Sequence, residues 1–279
     1  MLLDTEIDVR TVEPGAVAAP GDAVHRLADA WREAGIGDGD LVLIHSSLKR
    51  TLRRLLKQQQ RLAPADIVDS FRLAAGRNGT VLFPLFSWDF PKGIPFDLRT
   101  SPSQMGSLTE AARLHPDTVR TGHPIYSFAV IGAQAAAFRG LMNFSGYGAD
   151  SCFSRLRAMG GKIAVLDLPD QRSMTFYHHV EEMHAVPWRY HKRFSGSYTD
   201  GAGETREREF GLFVRDIENG VHTHVDPMGE ILWAEGLYRG DRPGTGCGLR
   251  VIDAGDMYEA VADIIAADRA EGLLFRIES

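Results

Sequence analysis

Short apolar runs recur along this chain with stretches of helical spacing between them, and that alternation limits the folds open to it. LVLIHSS (41–47), GTVLFPLFS (79–87), YSFAVIG (126–132) and KIAVLDL (162–168) have the length and aliphatic character of buried strands. GDAVHRLADAWREAGIGDGD (21–40) sets Val24, Leu27, Ala28, Trp31 and Ala34 at helical spacing and stops at glycines. APADIVDSFRLAAG (63–76) repeats the pattern, and PSQMGSLTEAARLHPD predicts a helix over 104–114. A further helix is expected in SCFSRLRAMGG, and DMYEAVADIIAADRAEGLL aligns Met257, Val261, Ile264 and Ile265 on one face. Between 193 and 240 short alternating pieces such as EREFGLFVRD predict an antiparallel elaboration. The expected fold class is α/β: a three-layer α/β/α sandwich with a mixed sheet and a small antiparallel β elaboration in the C-terminal third. A chain of 279 residues has room for one large domain or two modest ones, and a single domain over 1–279 is expected. Ligands of such sheets gather where strands end. HSS, Pro84–Ser87 and Thr175 each follow a predicted strand, so a site is expected there.

The 31 Lys and Arg against 37 Asp and Glu give a net charge of −6. That balance argues against nucleic-acid or anionic-membrane partners and suits a cationic small molecule. Cys152 and Cys247 lie in no paired-ligand spacing, so neither a disulfide framework nor a cysteine zinc site is expected, and a reducing cytoplasm is the default. The stretch MLLDTEIDVRTVEPG carries early acids and does not read as a signal peptide; no 18 apolar residues run together.

TFYHHVEEMH (175–184) gathers His178, His179, His184, Glu181 and Glu182 behind Thr175. On a helix His178 can share a face with either Glu181 or Glu182. A carboxylate against an imidazole fixes its tautomer and raises its basicity, as a general base requires. Thr175, one turn earlier, could offer its hydroxyl to an oxyanion. The rival readings are a solvated helix face and a zinc site. Zinc on an HExxH helix needs histidines four apart, whereas His179 and His184 are five apart, so no metal is expected.

Elsewhere the signals are weaker. His45, Ser46 and Ser47 end a strand but lack a nucleophile-elbow signature, and they read equally as polar strand-end residues or as ligand contacts. His123-Pro124 restrains the backbone before Ser127. PGTGCG (243–248) is no phosphate loop but allows close backbone approach, and Cys247 has no base beside it. The basic RRLLK run reads most simply as a solvated helix face.

Taken in order, LVLIHSSL, GTVLFPLFS, FDLRTSPSQMGSLTEAARLHPDTVRTGHPIYSFAVIGAQA, GKIAVLDL, TFYHHVEE and GTGCG resemble the aminoglycoside 3-N-acetyltransferase family. The resemblance spans about residues 20 to 268. RTGHPxxSFAxxG followed about fifty residues later by TxxHxxE is its most specific part. It implies a fold distinct from the common GNAT acetyltransferases, acetyl-CoA as donor and an amino-sugar amine as acceptor. His178 would then be the base, oriented by Glu181 or Glu182, with Thr175 at the oxyanion. His45, Ser46, Ser47, His123 and Ser127 would line the acyl-CoA and reaction centre. A homodimer is an allowed assembly.

The chain also departs from the family. After HSSL, where resistance-type members carry a glycine- and tryptophan-containing loop, stands KRTLRRLLKQQQRLAPAD, and the usual Ser-Pro-Leu reads Ser151-Cys152-Phe153. These changes open the choice of acceptor. A metal-dependent hydrolase using the same histidines and a non-catalytic sugar- or nucleotide-binding protein of the same fold stand as the rival function classes.

Overall fold

The computed structural model describes residues 20–278, so the reading of the first fifteen residues concerns a segment outside them. α1 (Pro20–Glu33) leads into β1 (Leu41–Ser46), α2 (Lys49–Lys57), α3 (Pro64–Ala75) and β2 (Thr80–Pro84). The short β3 (Phe96–Asp97) is followed by α4 (Ser107–Leu114), β4 (Val119–Arg120), β5 (Phe128–Gly132), α5 (Cys152–Ala158) and β6 (Lys162–Leu166). Then come α6 (Phe176–Met183), β7 (Arg189–Thr199), β8 (Thr205–Arg215), β9 (Val221–Thr223) and α7 (Asp226–Ala234). β10 (Arg239–Gly240), β11 (Leu249–Asp253), α8 (Ala254–Ala266) and β12 (Phe275–Ile277) complete the order.

Seven strands form one mixed sheet in the order β10-β11-β6-β1-β2-β5-β4. β1 lies at its centre, parallel to β2 with Val42 opposite Val81, and parallel to β6 with Ile44 opposite Ala164. β5 and β11 run antiparallel outside that trio. Because strand side chains alternate, each central strand is apolar on both faces. Val42 and Ile44 pack with Leu27, Trp31, Phe71 and Leu108 of the helices on one side. Leu41 and Leu43 pack with Phe153, Val180, Met257 and Val261 on the other. These are the three layers that the sequence predicted. Trp31 stacks on Phe71 at 4.9 Å, and its indole N–H donates to Ser70 Oγ at 2.9 Å, which joins α1 to α3.

Several boundaries differ from the sequence expectation. The helix predicted from 104 starts at Ser107, because Gly106 holds φ = 113°, a conformation that glycine alone adopts readily. The strand predicted from 126 starts at Phe128, because the Ile125 and Tyr126 N–H groups donate to His123 Nδ1 instead of to a neighbouring strand. The β-rich region begins at Arg189 rather than 193. There β7 and β8 pair from Arg189 opposite Arg215 to Thr199 opposite Thr205, with β3 added parallel at Phe96 and Tyr198. Within it DPMGEILWA forms the helix α7; Met228 and Leu232 are its buried i,i+4 pair, a signal only nine residues long.

β1, β2 and β6 are parallel, so their C-terminal ends meet on one edge of the sheet. Ser46, Pro84 and Leu166 lie there, and so do the loops that follow them.

Candidate active site

α6 presents the histidine cluster, and the structure fans its imidazoles apart. His178 points into a cleft of ≈ 620 Å³ lined by Trp88, Tyr126, Tyr147, the hairpin β7–β8, Ile217 and Glu218. His179 turns into the protein, where its Nδ1 lies 2.6 Å from the Tyr147 carbonyl and its ring packs beside Phe176 and Tyr258. His184 lies exposed at the helix end, 5.9 Å from the Tyr258 ring. Among the described residues no three His, Cys, Asp or Glu side chains are grouped as a metal site needs.

The two carboxylates separate as sharply. Glu181 is buried and its Oε2 lies 2.9 Å from His178 Nδ1. The turn through Ala185, at φ = 46°, brings the chain back so that the Trp188 indole donates to Glu181 Oε1 at 2.9 Å and Arg189 Nε reaches Oε2 at 2.8 Å. Glu182 faces elsewhere: Ser145 Oγ donates to its Oε2 at 2.7 Å, and His191 is 4.0 Å from Oε1. Thus Glu181 is the partner of His178.

The proton on His178 follows from these contacts. Burial raises the Glu181 carboxyl, but Arg189 and the His178 and Trp188 hydrogen bonds outweigh it and hold it below its usual range. A buried carboxylate at Nδ1 requires an N–H there. Arg189 Nη2 also lies 2.7 Å from Nδ1, but Arg189 is ion-paired with Glu181 and donates from Nη1 to the Phe213 carbonyl at 2.9 Å. The tautomer with the proton on Nδ1 therefore satisfies more groups and leaves Nε2 with its lone pair. Burial first and Arg189 second lower the imidazolium to about 4, so His178 is neutral at pH 7.

Thr175 stands just before α6 and is in neither cleft's lining; among the described residues its hydroxyl has only the Ser173 carbonyl at 3.5 Å, the limit of a hydrogen bond.

His45, Ser46 and Ser47 line a second cleft of ≈ 590 Å³ at the strand ends, together with Lys49, Gln104, Asp167 and Arg172. His45 Nε2 is buried there without a hydrogen-bond partner among the described residues, and burial followed by Arg250 lowers the ring to about 3. The buried Phe86 touches residues of both linings, its ring 4.4 Å from Tyr126 of the first cleft and 6.4 Å from His45 of the second. Trp88 N–H, in the first cleft, donates to Gln104 Oε1 of the second at 3.0 Å.

His123 and Ser127 enter neither lining. Both are fully buried: His123 accepts two backbone N–H groups at Nδ1 and approaches the Gly211 carbonyl at 3.3 Å, while Ser127 Oγ accepts from Arg120. They hold the floor between the sheet and the hairpin.

The GTGCG loop closes on Asp167, where the Gly244 N–H donates to Oδ1 at 3.0 Å. A Cβ on Gly248 would come within 2.3 Å of the same carboxylate, so the approach needs glycine. Arg50 and Arg54 of α2 donate to the Gly246 carbonyl at 2.9 and 3.1 Å, which ties the basic helix to this loop. Burial first, and the neighbouring Asp241 carboxylate with it, push the Cys247 thiol up to about 11, so the sulfur stays a protonated thiol and not a thiolate nucleophile at pH 7.

Sequence reasoning did not find Arg189, Trp188, Ser145 or Tyr147. The first two follow the cluster directly in HAVPWRY, and an acid-rich helix followed by Pro, Trp and Arg is the one signal that could have pointed to them.

The chain is 29% identical over 185 residues to aminoglycoside N(3)-acetyltransferase VII of Streptomyces paromomycinus, a match covering 58% of this chain and 61% of that protein. It thus spans less than two thirds of the length of that curated relative. Among solved structures, AAC-IIIb in binary complex with CoASH superimposes with a TM-score of 0.74 at 23% identity, covering 88% of this chain and 96% of that one. AAC-VIa bound to sisomicin gives 0.72 at 22% identity, covering 89% and 98%. The family model described as aminoglycoside 3-N-acetyltransferase matches residues 43–265, and the chain belongs to that family of acyltransferases.

Proposed function

We propose that this chain is an N-acetyltransferase that moves an acetyl group from acetyl-CoA directly to an amine of an aminoglycoside or other amino sugar, in the cytoplasm. One observation carries the reading: Nδ1 of His178 is held by the buried Glu181 while Nε2 is left to face an open cleft. An attacking amine must lose a proton as it forms the new bond, and a neutral imidazole within reach accepts it. His178 is in that state at neutral pH.

Acetyl-CoA supplies the thioester whose carbonyl carbon the amine attacks. The second cleft suits the donor: Lys49 and Arg172 bring positive charge for phosphates, Ser46 and Ser47 bring hydroxyls, and His45 Nε2 lacks a partner. As the N–C bond forms and the C–S bond breaks, the amine proton passes to His178 Nε2 and then to the departing sulfur. Glu181 keeps the ring oriented and balances the transient imidazolium. Thr175, with its hydroxyl nearly unengaged, turns to the oxyanion.

The test is His178→Ala, assayed by thiol release from acetyl-CoA. The variant is expected to lose about 10²–10⁴-fold in rate while its circular dichroism stays unchanged. An unimpaired, folded variant removes the assignment.

A further inference from the structure

The charge of the His178 cleft runs against the polycation that the sequence's net charge of −6 would suit. Its ionised lining consists of Arg189, Lys192 and Arg215 against Glu218 alone. Of the carboxylates on the packed elements, Glu181 is consumed by Arg189, His178 and Trp188. Glu182 is turned to Ser145, and burial raises it. Lys192 and Arg215 make no ion pair among the described residues. Arg215 stands directly opposite Arg189 in the hairpin register, and since Glu181 already neutralises Arg189, Arg215 and Lys192 are the cleft's unpaired cations among the described residues. The remaining wall is largely apolar: Trp88 and Tyr190 are 40% and 43% exposed, and the cross-strand pair Tyr190–Val214 continues it. Large exposed aromatics at a cleft mouth offer a stacking surface.

We infer that the acceptor is an amino sugar that carries phosphate and a flat ring, as a nucleotide-linked amino sugar does, and not a polycationic aminoglycoside. The inference rests on the acyl-transfer reading for the amine and extends it to the rest of the acceptor. Its amine lies at His178 Nε2, its phosphate at Arg215 and Lys192, and its ring on Trp88 and Tyr190. Guanidinium and ammonium groups take phosphate by charge-assisted hydrogen bonds, and the same groups repel ammonium-rich ligands.

The experiment titrates the full chain, in the presence of CoA, with UDP-glucosamine, glucosamine and sisomicin by calorimetry, and follows thiol release from acetyl-CoA with each. UDP-glucosamine is expected to bind at least tenfold more tightly than glucosamine, and sisomicin more weakly than either. Lys192→Glu and Arg215→Glu, both at exposed positions, are expected to weaken UDP-glucosamine tenfold or more and to strengthen sisomicin, with melting temperatures unchanged. Sisomicin binding more tightly than UDP-glucosamine, or an order that neither variant alters, overturns the inference. The two readings fail separately. Preferred acetylation of sisomicin keeps acyl transfer and removes the anionic acceptor; the expected binding order without thiol release keeps the acceptor class and removes acyl transfer.

Discussion

At the scale of single residues the site turns on which of two adjacent carboxylates serves His178. The i,i+3 and i,i+4 spacings made Glu181 and Glu182 equivalent in the sequence. What separates them is a reversal of the chain at Ala185 that returns Trp188 and Arg189 onto Glu181, a long-range consequence that helical periodicity does not encode. Glu181→Gln keeps the shape and removes the charge that, in the proposed mechanism, orients and supports the imidazolium. Its rate is expected to fall by roughly tenfold or more, and the acidic limb of kcat/KM is expected to move to lower pH, since Glu181 raises the His178 pKa. Glu182→Gln should change the rate less than about threefold, because its contacts are Ser145 and the distant His191. A pH profile is the required readout. Removing the negative charge also strands the buried Arg189, and a stability loss alone would lower activity without moving the limb. Equal losses in the two variants, with the limb unmoved in both, would remove Glu181 as the orienting group.

At the scale of elements, most of the three-layer architecture was legible, because buried strands and amphipathic helices write their periods directly into sequence. Less legible were pieces shaped by what they touch. His123 shortens β5 by capturing two N–H groups, and α7 hides in a stretch that otherwise alternates. α7 is placed by a buried polar knot: Asp170 accepts from the Tyr177 and Tyr238 hydroxyls at 2.7 Å each and from Arg250 at 2.6 Å. Gly229 sits against that knot, and a Cβ there would lie 2.7 Å from Asp170 Cγ. Two effects oppose each other in Gly229→Ala. Helix propensity favours alanine by about 1 kcal/mol, while overpacking costs about 1–3 kcal/mol. Three partners pin Asp170, so it cannot yield, and overpacking wins. The expected outcome is a melting temperature lower by about 2 °C or more, measured by scanning calorimetry. A rise would show that α7 docks more loosely than the contact implies.

At the scale of the whole molecule, net charge does not report local charge: in this acidic chain the hairpin cleft is lined by Arg189, Lys192 and Arg215 against Glu218. Protonation behaves otherwise, because it adds over every buried group. Burial is the leading cause that lowers His45 to about 3 and His123, His178 and His179 to about 4, against an ordinary 6.5. A histidine with a depressed folded pKa favours the folded state in neutral form. Its stabilisation is complete above the unfolded pKa and is lost as pH falls through 6.5 toward 4, where the unfolded chain binds protons that the folded chain refuses. Each such histidine adds a slope of about 1.4 kcal/mol per pH unit, so four together approach about 5 kcal/mol per unit near the acidic end. Against a total stability on the order of 5–15 kcal/mol, that loss removes a large part of the folded state's margin as pH falls toward 4. Glu182, which burial raises, works in the opposite direction, but it is one group against four. The melting temperature is therefore expected to be level above about pH 7 and to fall steeply between 6.5 and 4.5. His179→Phe, which removes one imidazole from the set, is expected to make that fall shallower by about one proton's slope. A melting temperature that stays level down to pH 4.5 would mean that the four rings reach water in the folded state.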